Sequence, residues 1–412
     1  ALAAVVEAGS QGYRNRPDPR LGTGEFWNTS AGVGAGGERD RYAVGAELQL
    51  PLLPRLTTTL AGRYDQYRAA GEHIGKATWS FGVEFRPLDS LLIRGTAATS
   101  FRAPDMNYVF ATETRGYNPG MTDYWRCRTA GQPYDECDFN GLSIDFSNRA
   151  NPQLQPETAK SYGFGVVWSP LASLDFSADY YDIRIDNEVT NLDSSRILRD
   201  EADCRLGRTL GGEVRDIGSP LCQDALARVI RNPSTAAVQP DQVTRVLINP
   251  INAASESVRG IDLKGNWRFD AGRAGRFTTR LAYTVVLEHE YRQFADDEVR
   301  DIRNSLDDWQ WRSKVNGSVT WNRGDWTATV YGNRYGSLPK SDGSGRIGPY
   351  MTYNASVFRT FGDNLSLGVI VNNLRNSRPP ADRNGGGWPF YPVGNYDPYG
   401  RQFWVEMDYR FN

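Results

Sequence analysis

Apolar and polar residues alternate along much of the chain with a period of two. The clearest segment is 311–321, where one face carries Trp311, Val315, Val319 and Trp321 and the other carries Arg312, Lys314, Asn316, Ser318 and Thr320. Because successive side chains of a β-strand point to opposite sides, this pattern predicts a strand with one apolar face. At about 3.3 Å per residue and a tilt near 45°, the two tryptophans lie about 23 Å apart along a barrel axis, close to the ~25 Å apolar band of an outer-membrane barrel.

The alternation recurs and predicts about fourteen strands, counting residues 1–8 as the first. Outward-facing rows are predicted in 42–50, 79–85, 91–97, 162–168, 174–180, 261–269, 277–287, 351–357, 365–371 and 403–411. Short connections (51–54, 87–90, 170–173, 270–276, 323–325, 362–364) alternate with longer ones (10–41, 68–76, 103–158, 188–258, 292–310, 336–349, 376–400). This predicts an all-β fold, a transmembrane antiparallel β-barrel with short periplasmic turns and long extracellular loops. One short helix is predicted at 224–230.

Composition changes this interpretation little, but it excludes other classes. The 412 residues include 47 Lys and Arg and 49 Asp and Glu, so a basic nucleic-acid binder is not expected. The mean hydropathy of -0.56 by itself suggests a soluble protein. In a barrel, however, the same average arises from an apolar outer face, a polar lumen and polar loops. No apolar run approaches the ~18 residues that a membrane helix needs.

The four cysteines form two close pairs, Cys127 with Cys137 and Cys204 with Cys222. Neither pair has metal-ligand spacing, and the chain has only 2 histidines, so no metal site is expected. Two disulfides, each closing one loop, are the preferred interpretation over free thiols, and they indicate an oxidising compartment.

Five segments resemble TonB-dependent outer-membrane receptors, and they occur in that family's order. The segment SFRAPDMNYVF at 100–110 contains the F-R-A-P motif as Phe101, Arg102, Ala103 and Pro104. The others are NPQLQPETAKSYGFGVVWSP at 151–170, ASESVRGIDLKGNW at 254–267, VNNLRNSRPP at 371–380 with Asn372 and Asn373, and the last strand GRQFWVEMDYRFN with Phe411.

The departures from the family pattern matter as well. A plug domain and a TonB box are not visible, and about fourteen strands fall about eight short of the roughly 22 of such transporters. The chain ends on Asn412 where the family usually has Phe. We therefore expect residues 1–412 to be a single barrel domain, the C-terminal portion of a receptor.

Each group of candidate functional residues also has a structural explanation. Pro104 removes a ladder N–H, so Phe101–Pro104 is equally explained as a strand stop. Aromatic and arginine residues in the long loops are candidate ligand contacts, since arginine binds anions bidentately and aromatic rings stack on sugars or catechols. The alternative is that they pack the loops or meet lipopolysaccharide. The candidates are Arg115, Tyr117, Tyr124, Trp125, Arg383, Trp388, Tyr391 and Tyr396.

No catalytic constellation is found, so an enzyme is not expected, and no cofactor is predicted. Paired acids such as Asp307 and Asp308 are interpreted as solvated loop residues. The acidic loop 296–301 is a minor candidate for Ca²⁺.

The resemblance implies TonB-energised uptake of a scarce ligand, such as a ferric siderophore, oligosaccharide, peptide or cobalamin, and scarce histidine argues mildly against haem. The implied partners are outer-membrane lipid, lipopolysaccharide, a plug with the remaining strands, and TonB through that plug. Two alternatives stay open: a self-closed passive channel or surface-binding barrel, in which strand 1–8 pairs with strand 401–411, and a soluble all-β binding protein.

Overall fold

The structure is a computed structural model that describes residues 1–21, 34–304, 311–383 and 388–411. In chain order its strands are β1 (Leu2–Asn15), β2 (Ala35–Leu53), β3 (Leu56–Ala69), β4 (Glu72–Leu88), β5 (Leu91–Arg102), β6 (Thr114–Met121), β7 (Leu142–Asn148), β8 (Glu157–Leu171), β9 (Leu174–Asn191), β10 (Val229–Arg231), β11 (Val243–Ile248), β12 (Pro250–Asp270), β13 (Arg276–Arg292), β14 (Arg300–Asp301), β15 (Ser313–Arg323), β16 (Trp326–Tyr335), β17 (Leu338–Pro339), β18 (Arg346–Ile347), β19 (Tyr350–Phe361), β20 (Leu365–Asn372) and β21 (Gln402–Tyr409).

The α-helices are short and lie in the long connections. They are α1 (Met106–Phe110), α2 (Tyr124–Thr129), α3 (Ser194–Leu206) and α4 (Pro220–Arg228), and 3₁₀ turns occur at Gly272–Ala274 and Ile302–Asn304. Within the described ranges, none of these helices has the length and apolar content to cross a membrane.

One large antiparallel sheet contains most of the strands. Its order is β1-β2-β3-β4-β5-β8-β9-β12-β13-β15-β16-β19-β20-β21, with β14 beside β13. This confirms the predicted all-β class and the predicted number of about fourteen long strands. In the part of the chain that the structure describes, β1 pairs only with β2 and β21 only with β20. The pairing between first and last strands that a self-closed barrel requires is therefore not seen among these residues.

The two faces of the sheet differ as the alternation predicts. Val319 lies opposite Val330 and Val330 opposite Ala355, so the predicted outward rows continue across neighbouring strands. On the other face, the Thr320 and Thr329 hydroxyls form a 3.0 Å hydrogen bond. The large apolar side chains of the outward row stay exposed, such as Leu281 at 54% and Val369 at 50%. A face this apolar is the one that contacts lipid in a membrane barrel.

Two sequence predictions about the strand ends are wrong. The connection predicted at 68–76 is a tight hairpin in which only Ala70 and Gly71, both with positive φ, separate β3 from β4. Trp311 does not belong to the outward row. It precedes β15, and its ring packs against Tyr335 and Tyr396 at centroid distances of 4.6 and 5.8 Å, on the face that also carries Thr329. The estimated spacing of two tryptophan girdles therefore does not apply to this strand.

The connections β5–β8 and β9–β12 fold together into one unit, which we call the loop subdomain. Its sheet has the order β10-β11-β7-β6, and β11 pairs in parallel with β7 although the two strands come from different connections. The apolar core of this subdomain consists of Ile144, Ile197, Leu198, Val229, Val243 and Val246.

The helices of the loop subdomain have clear start and stop signals. Asp193 caps α3 by accepting a hydrogen bond from the Arg196 amide at 2.9 Å, and α3 ends at Gly207, whose φ of 68° is left-handed. Ser219 caps α4, with Pro220 in the first turn. This helix begins and ends earlier than the helix predicted at 224–230.

Both predicted disulfides are present. Cys127 is joined to Cys137 and Cys204 to Cys222, with Cα–Cα distances of 5.7 and 5.3 Å, and the described residues include no free cysteine.

Candidate functional site

A polar cavity of about 300 Å³ opens on the inner face of the sheet, beneath the connection between β20 and β21. Its floor is formed by inner-row residues at the long-loop ends of β16, β19, β20 and β21, and its cover by the end of the β20–β21 connection. The lining residues are Tyr335, Tyr350, Thr352, Asn354, Asn372, Asn373, Asn395, Tyr396, Asp397, Tyr399, Gly400 and Gln402. Phenol, amide and carboxylate groups therefore converge on one space, as in sites that orient small polar ligands.

An aromatic cluster forms one wall of this cavity. Tyr396 packs edge-to-face on Tyr350 at 5.3 Å, and Tyr335 stacks on Tyr350 at 6.3 Å. Trp311 contacts both Tyr335 and Tyr396, and the buried side chains of Leu338 and Ile347 belong to the same cluster. Tyr396 is only 3% exposed, and burial raises the pKa of its phenol.

Asn373 fixes the start of the cover. Its φ of 50° is left-handed, a conformation that asparagine tolerates better than most residues. Its side chain accepts a hydrogen bond from the Ser377 amide and donates one to the Ser377 carbonyl, both at 2.8 Å, and its own amide donates to Asn354 Oδ1 at 2.9 Å. The motif residue Asn373 therefore shapes the turn that leads into the cover.

A buried carboxylate joins the cover to the neighbouring connection. Asp382 is 4% exposed and accepts hydrogen bonds from both the amide and the hydroxyl of Ser341 at 2.7 Å. The connections β16–β19 and β20–β21 are thus tied to each other by these two hydrogen bonds.

The structure separates the candidate ligand residues of the β20–β21 connection. Tyr396 lines the cavity, and Tyr391 packs against the aromatic cluster. Arg383 is exposed, and Trp388 is 87% exposed; neither lines the cavity. A ligand role for any of the four stays a prediction.

The candidates in the loop subdomain are also divided. Arg115 is exposed and pairs with Glu113 at 3.1 Å, and Tyr117 is 72% exposed. Tyr124 packs against the subdomain core and meets Tyr134 edge-to-face at 4.9 Å.

Trp125 lies against two guanidinium groups, of Arg205 and Arg231, each 4.6 Å from its ring. The geometry thus gives Tyr124 and Trp125 packing partners within the subdomain, which is the alternative that the sequence left open.

A buried ion network lies next to Trp125. Arg231 donates to both carboxylate oxygens of Glu201, each at 2.7 Å, and to both oxygens of Asp123 at 2.7 and 2.9 Å. Both carboxylates are fully buried. Burial alone lowers the pKa of Arg231, but these hydrogen bonds outweigh it and the pKa is raised.

The F-R-A-P residues end β5 and hold it to its neighbours. Phe101 meets Tyr67 edge-to-face at 6.1 Å, and Arg102 pairs with Glu157 at 3.1 Å. The Pro104 carbonyl accepts a hydrogen bond from Arg39 at 2.8 Å, while Ala103 lines a small cavity beside it. These contacts favour the strand-stop interpretation. The C-terminal Phe411 is 88% exposed and packs edge-to-face on Tyr409.

Sequence reasoning missed a charged network on the inner face of β1–β3. Glu7 accepts hydrogen bonds from Arg63 at 2.6 Å and Arg41 at 3.0 Å, and Arg63 also pairs with Asp65 at 2.7 Å. The signal was available, since all four residues occupy inner positions of the alternation.

The acidic residues considered for Ca²⁺ are engaged elsewhere. Asp296 and Asp297 both pair with Arg196, the latter at 2.9 Å, and the described ranges contain no group of acidic, His or Cys ligands suited to a metal. Asp307 and Asp308 lie outside the described residues.

Comparison with known proteins adds family information. The family model "TonB dependent receptor-like, beta-barrel" matches residues 4–374. Two curated relatives are named hemin receptor: the protein of Yersinia enterocolitica is 28% identical over 195 residues, which is 43% of this chain and 24% of that protein, and the protein of Yersinia pestis is 26% identical over 204 residues, 45% and 25%. The matched region is thus about a quarter of these relatives' length.

Solved structures agree on the fold. The ferric enterobactin receptor of Pseudomonas aeruginosa is similar with a TM-score of 0.62 and 14% identity, covering 99% of this chain and 51% of that one. The siderophore receptor PirA of Acinetobacter baumannii gives a TM-score of 0.62 and 14% identity, covering 100% and 52%.

Proposed function

Because this chain belongs to the TonB-dependent receptor β-barrel family, whose neighbours are receptors and transporters rather than enzymes, we propose that it takes part in energised uptake of an iron chelate across the outer membrane. The observation that carries the proposal is the inner-face cavity beneath the β20–β21 connection. It combines aromatic faces for a planar ligand with hydroxyl and amide groups that select its polar edge.

Within iron chelates, a ferric siderophore fits better than haem held by histidine. Histidine and cysteine are two of the side chains that hold haem iron in proteins. His289 is buried and its Nε2 is engaged with Glu256 at 2.5 Å, while His73 lies exposed beside the β3–β4 hairpin. All four cysteines are in disulfides. Hemin is the second candidate, favoured by the names of the curated relatives.

The barrel is proposed to be completed by further strands between β21 and β1 and to enclose a plug that TonB remodels. Two observations support this arrangement. The described sheet has unpaired edges at β1 and β21. The inner face beside β1 also carries the network of Glu7, Arg41, Arg63 and Asp65, a polar surface suited to a plug domain.

The long connections are proposed to be extracellular and the short turns and C-terminus periplasmic. Both disulfides lie in the loop subdomain, so this orientation exposes them to an oxidising environment. Outer-membrane barrels in general carry their longer loops outside. Labelling of a cysteine introduced at Tyr117 on intact cells, with no labelling of one introduced at Asp89, is the expected result for this orientation.

Uptake of radioactive iron by cells expressing the full-length receptor tests the function. Wild-type cells are expected to accumulate iron from a ferric catecholate siderophore, and a protonophore is expected to stop accumulation. Tyr399→Ala removes an exposed aromatic side chain from the cavity rim and is expected to weaken binding about thirtyfold, the effect of losing about 2 kcal/mol at an aromatic hot spot.

The matched control is Tyr331→Ala, on the inner row of β16 but outside the cavity. If both variants took up iron equally well, the cavity would not be the ligand-binding site. Uptake that persists with the protonophore would favour the passive channel, and uptake of iron from hemin alone would select the second ligand.

A further inference from the structure

Four basic side chains lie together on the inner face of the paired strands β12 and β13. They are Lys264, Arg268, Arg276 and Arg280. Lys264 and Arg268 are the two diagonal neighbours of Arg280 across the strand pair. Arg276 is in turn a diagonal neighbour of Arg268. Because diagonal neighbours in a sheet are roughly 7–8 Å apart, the four cations form one continuous patch, which we call the basic ladder.

The contacts of adjacent residues show that the basic ladder faces inward. On the same row of β12, the Asn266 side chain donates a hydrogen bond to Asp175 of β9 at 2.7 Å. Asp262, also on this row, accepts one from the Thr284 hydroxyl of β13 at 2.5 Å. The alternate positions of β13 carry apolar side chains such as Leu281, which is exposed on the outward face. The ladder is therefore part of the polar lumen wall.

Several inner-face arginines of the sheet are neutralised by carboxylates, but the basic ladder is not. Arg94 pairs with Asp179 at 2.6 Å, and Arg63 pairs with Asp65 at 2.7 Å. Among the described residues, no member of the ladder takes part in an ion pair, and all four side chains are exposed. Their charges are therefore available to a ligand.

The carboxylates near the basic ladder have other partners. Those on the inner rows of β9 and β12 that already hold a side-chain partner are Asp175, Asp179, Glu256 and Asp262. Asp270 lies opposite Arg276 and accepts a hydrogen bond from the Gly272 amide at 2.8 Å. Asp397 in the cavity lining accepts one from the Tyr399 amide at 2.9 Å. The strands β15, β16 and β19 contain no Asp or Glu along their whole length, so this side of the lumen wall is neutral or positive.

Lys314 of β15 connects the basic ladder with the polar cavity. It lies opposite Thr284 of β13 on one side and opposite Tyr335 of β16, which lines the cavity, on the other. Its ammonium group lies 4.9 Å from the centre of the Trp311 ring. From Thr284 to Arg276 the chain descends by about 19 Å along the barrel axis, at about 3.3 Å per residue and a tilt near 45°. Basic side chains therefore extend from the cavity down to the short-turn rim.

We propose that the ligand of this receptor is a multiply charged anion, and that the basic ladder is the part of the lumen wall along which it passes from the cavity toward the short-turn rim. A wall of one sign of charge concentrates ligands of the opposite sign. Because the ladder has no ion pairs to break, an anion can exchange contacts from one cation to the next. The inference rests on the proposed function and adds the charge class of the ligand, which excludes neutral oligosaccharides and neutral chelates.

Uptake of radioactive iron by cells that express the full-length receptor tests the proposal with two probes of similar shape. Ferric tris-catecholate is multiply negative, whereas ferric tris-hydroxamate is neutral. In the double variant Lys264→Gln/Arg280→Gln, uptake of the catecholate complex is expected to be about tenfold slower than in wild type. This is the lower end of the effect that a cleft of one charge sign has on the local concentration of its substrate. Binding of the complex to protonophore-treated cells is expected to equal that of wild type, because the cavity is unchanged.

Two further double variants separate charge from other effects. Lys264→Arg/Arg280→Lys keeps both charges and is expected to take up the catecholate complex at the wild-type rate. Arg334→Gln/Arg359→Gln is the matched control, because it removes two cations from the outward rows of β16 and β19, where Arg334 lies opposite Met351. This control is also expected to match wild type.

The outcomes distinguish this inference from the proposed function. Uptake of the catecholate complex at the wild-type rate by Lys264→Gln/Arg280→Gln would overturn the inference and leave the proposed function intact. An equal fall in the uptake of both complexes would also overturn it, and would assign the ladder to contact with an acidic segment of a plug. So would uptake of the neutral complex alone by wild type.

Hemin, a dicarboxylate, replaces the catecholate complex as the anionic probe if the cells take up iron from hemin alone. If wild-type cells took up iron from none of the three compounds, the proposed function would be refuted, and this inference with it.

Discussion

Replacing Arg231 by methionine is expected to open the loop subdomain while leaving the large sheet intact. Methionine keeps most of the side-chain volume but removes the guanidinium that both buried carboxylates share. Asp123 and Glu201 are fully buried, and Arg231 is their common partner through four hydrogen bonds of 2.7 to 2.9 Å. In the variant Asp123 loses its arginine partner, while Glu201 keeps its ion pair with Arg205.

The magnitude follows from the cost of breaking a buried ion pair, about 3–5 kcal/mol when one partner is removed. Since each 1.4 kcal/mol is a factor of ten, the equilibrium for local opening is expected to rise by about two to four powers of ten.

Hydrogen exchange followed by mass spectrometry measures this opening. In the variant, the amides of α3 are expected to exchange about two to four powers of ten faster than in the wild type, after correction for intrinsic rates. The amides of β15 and β16 are expected to keep their protection. Arg199→Met is the matched control, because Arg199 is exposed on the same helix. An increase of less than about tenfold in Arg231→Met would refute the assignment of the ion network as the centre of the subdomain's stability.

Three further predictions concern the lipid face, the disulfides and the pH response. Leu281→Arg is expected to cost about 2–4 kcal/mol in bilayers, as for other lipid-facing sites near the midplane, and wild-type stability in a bilayer-folding titration would contradict the outward assignment. Replacing Cys127 and Cys137 together by serine is expected to lower local stability by about 3 kcal/mol, read from protease cleavage of the β6–β7 connection with and without reductant. Hydrogen bonds from Ser147, Arg115 and Arg149 hold the pKa of Glu113 at about 2, below its ordinary 4.5. The stabilisation of the folded state by ionised Glu113 is therefore complete above pH 4.5 and is lost as the pH falls toward 2. Exchange of β6 amides is expected to rise in that window, and Glu113→Gln is expected to remove the rise.

The long strands were predictable because one physical rule determines them. A strand between lipid and a polar lumen must alternate, and the six predicted short turns all lie between strands that the structure pairs as hairpins, such as β15 and β16 around Gly324. The rule fails where the alternation continues beyond the membrane. Trp311 fits the outward row by spacing alone, but it precedes β15, and nearby tyrosines on the inner face determine its position.

The loop subdomain was not predictable from periodicity. Its sheet joins β7 and β11, which are separated by about a hundred residues and run in parallel, and such non-local pairing leaves no local repeat in the sequence. Helix α3 did have a signal in Asp193 and Gly207, which cap its two ends, but its apolar face is short. Of the residues that line the cavity, the sequence singled out Tyr396 as a candidate ligand contact and Asn372 and Asn373 as motif residues. The lining residues of β16, β19 and β21 are inner-row positions that look like ordinary lumen residues.

The parallel pairing of β7 with β11 also constrains how the molecule can be assembled. Each disulfide closes within a single connection, over sequence separations of 10 and 18 residues, so oxidation of either needs nothing from the other. The shared sheet, in contrast, exists only when both connections are folded against each other. A change that unfolds one connection is therefore expected to remove a strand pairing from the other, although each keeps its own disulfide.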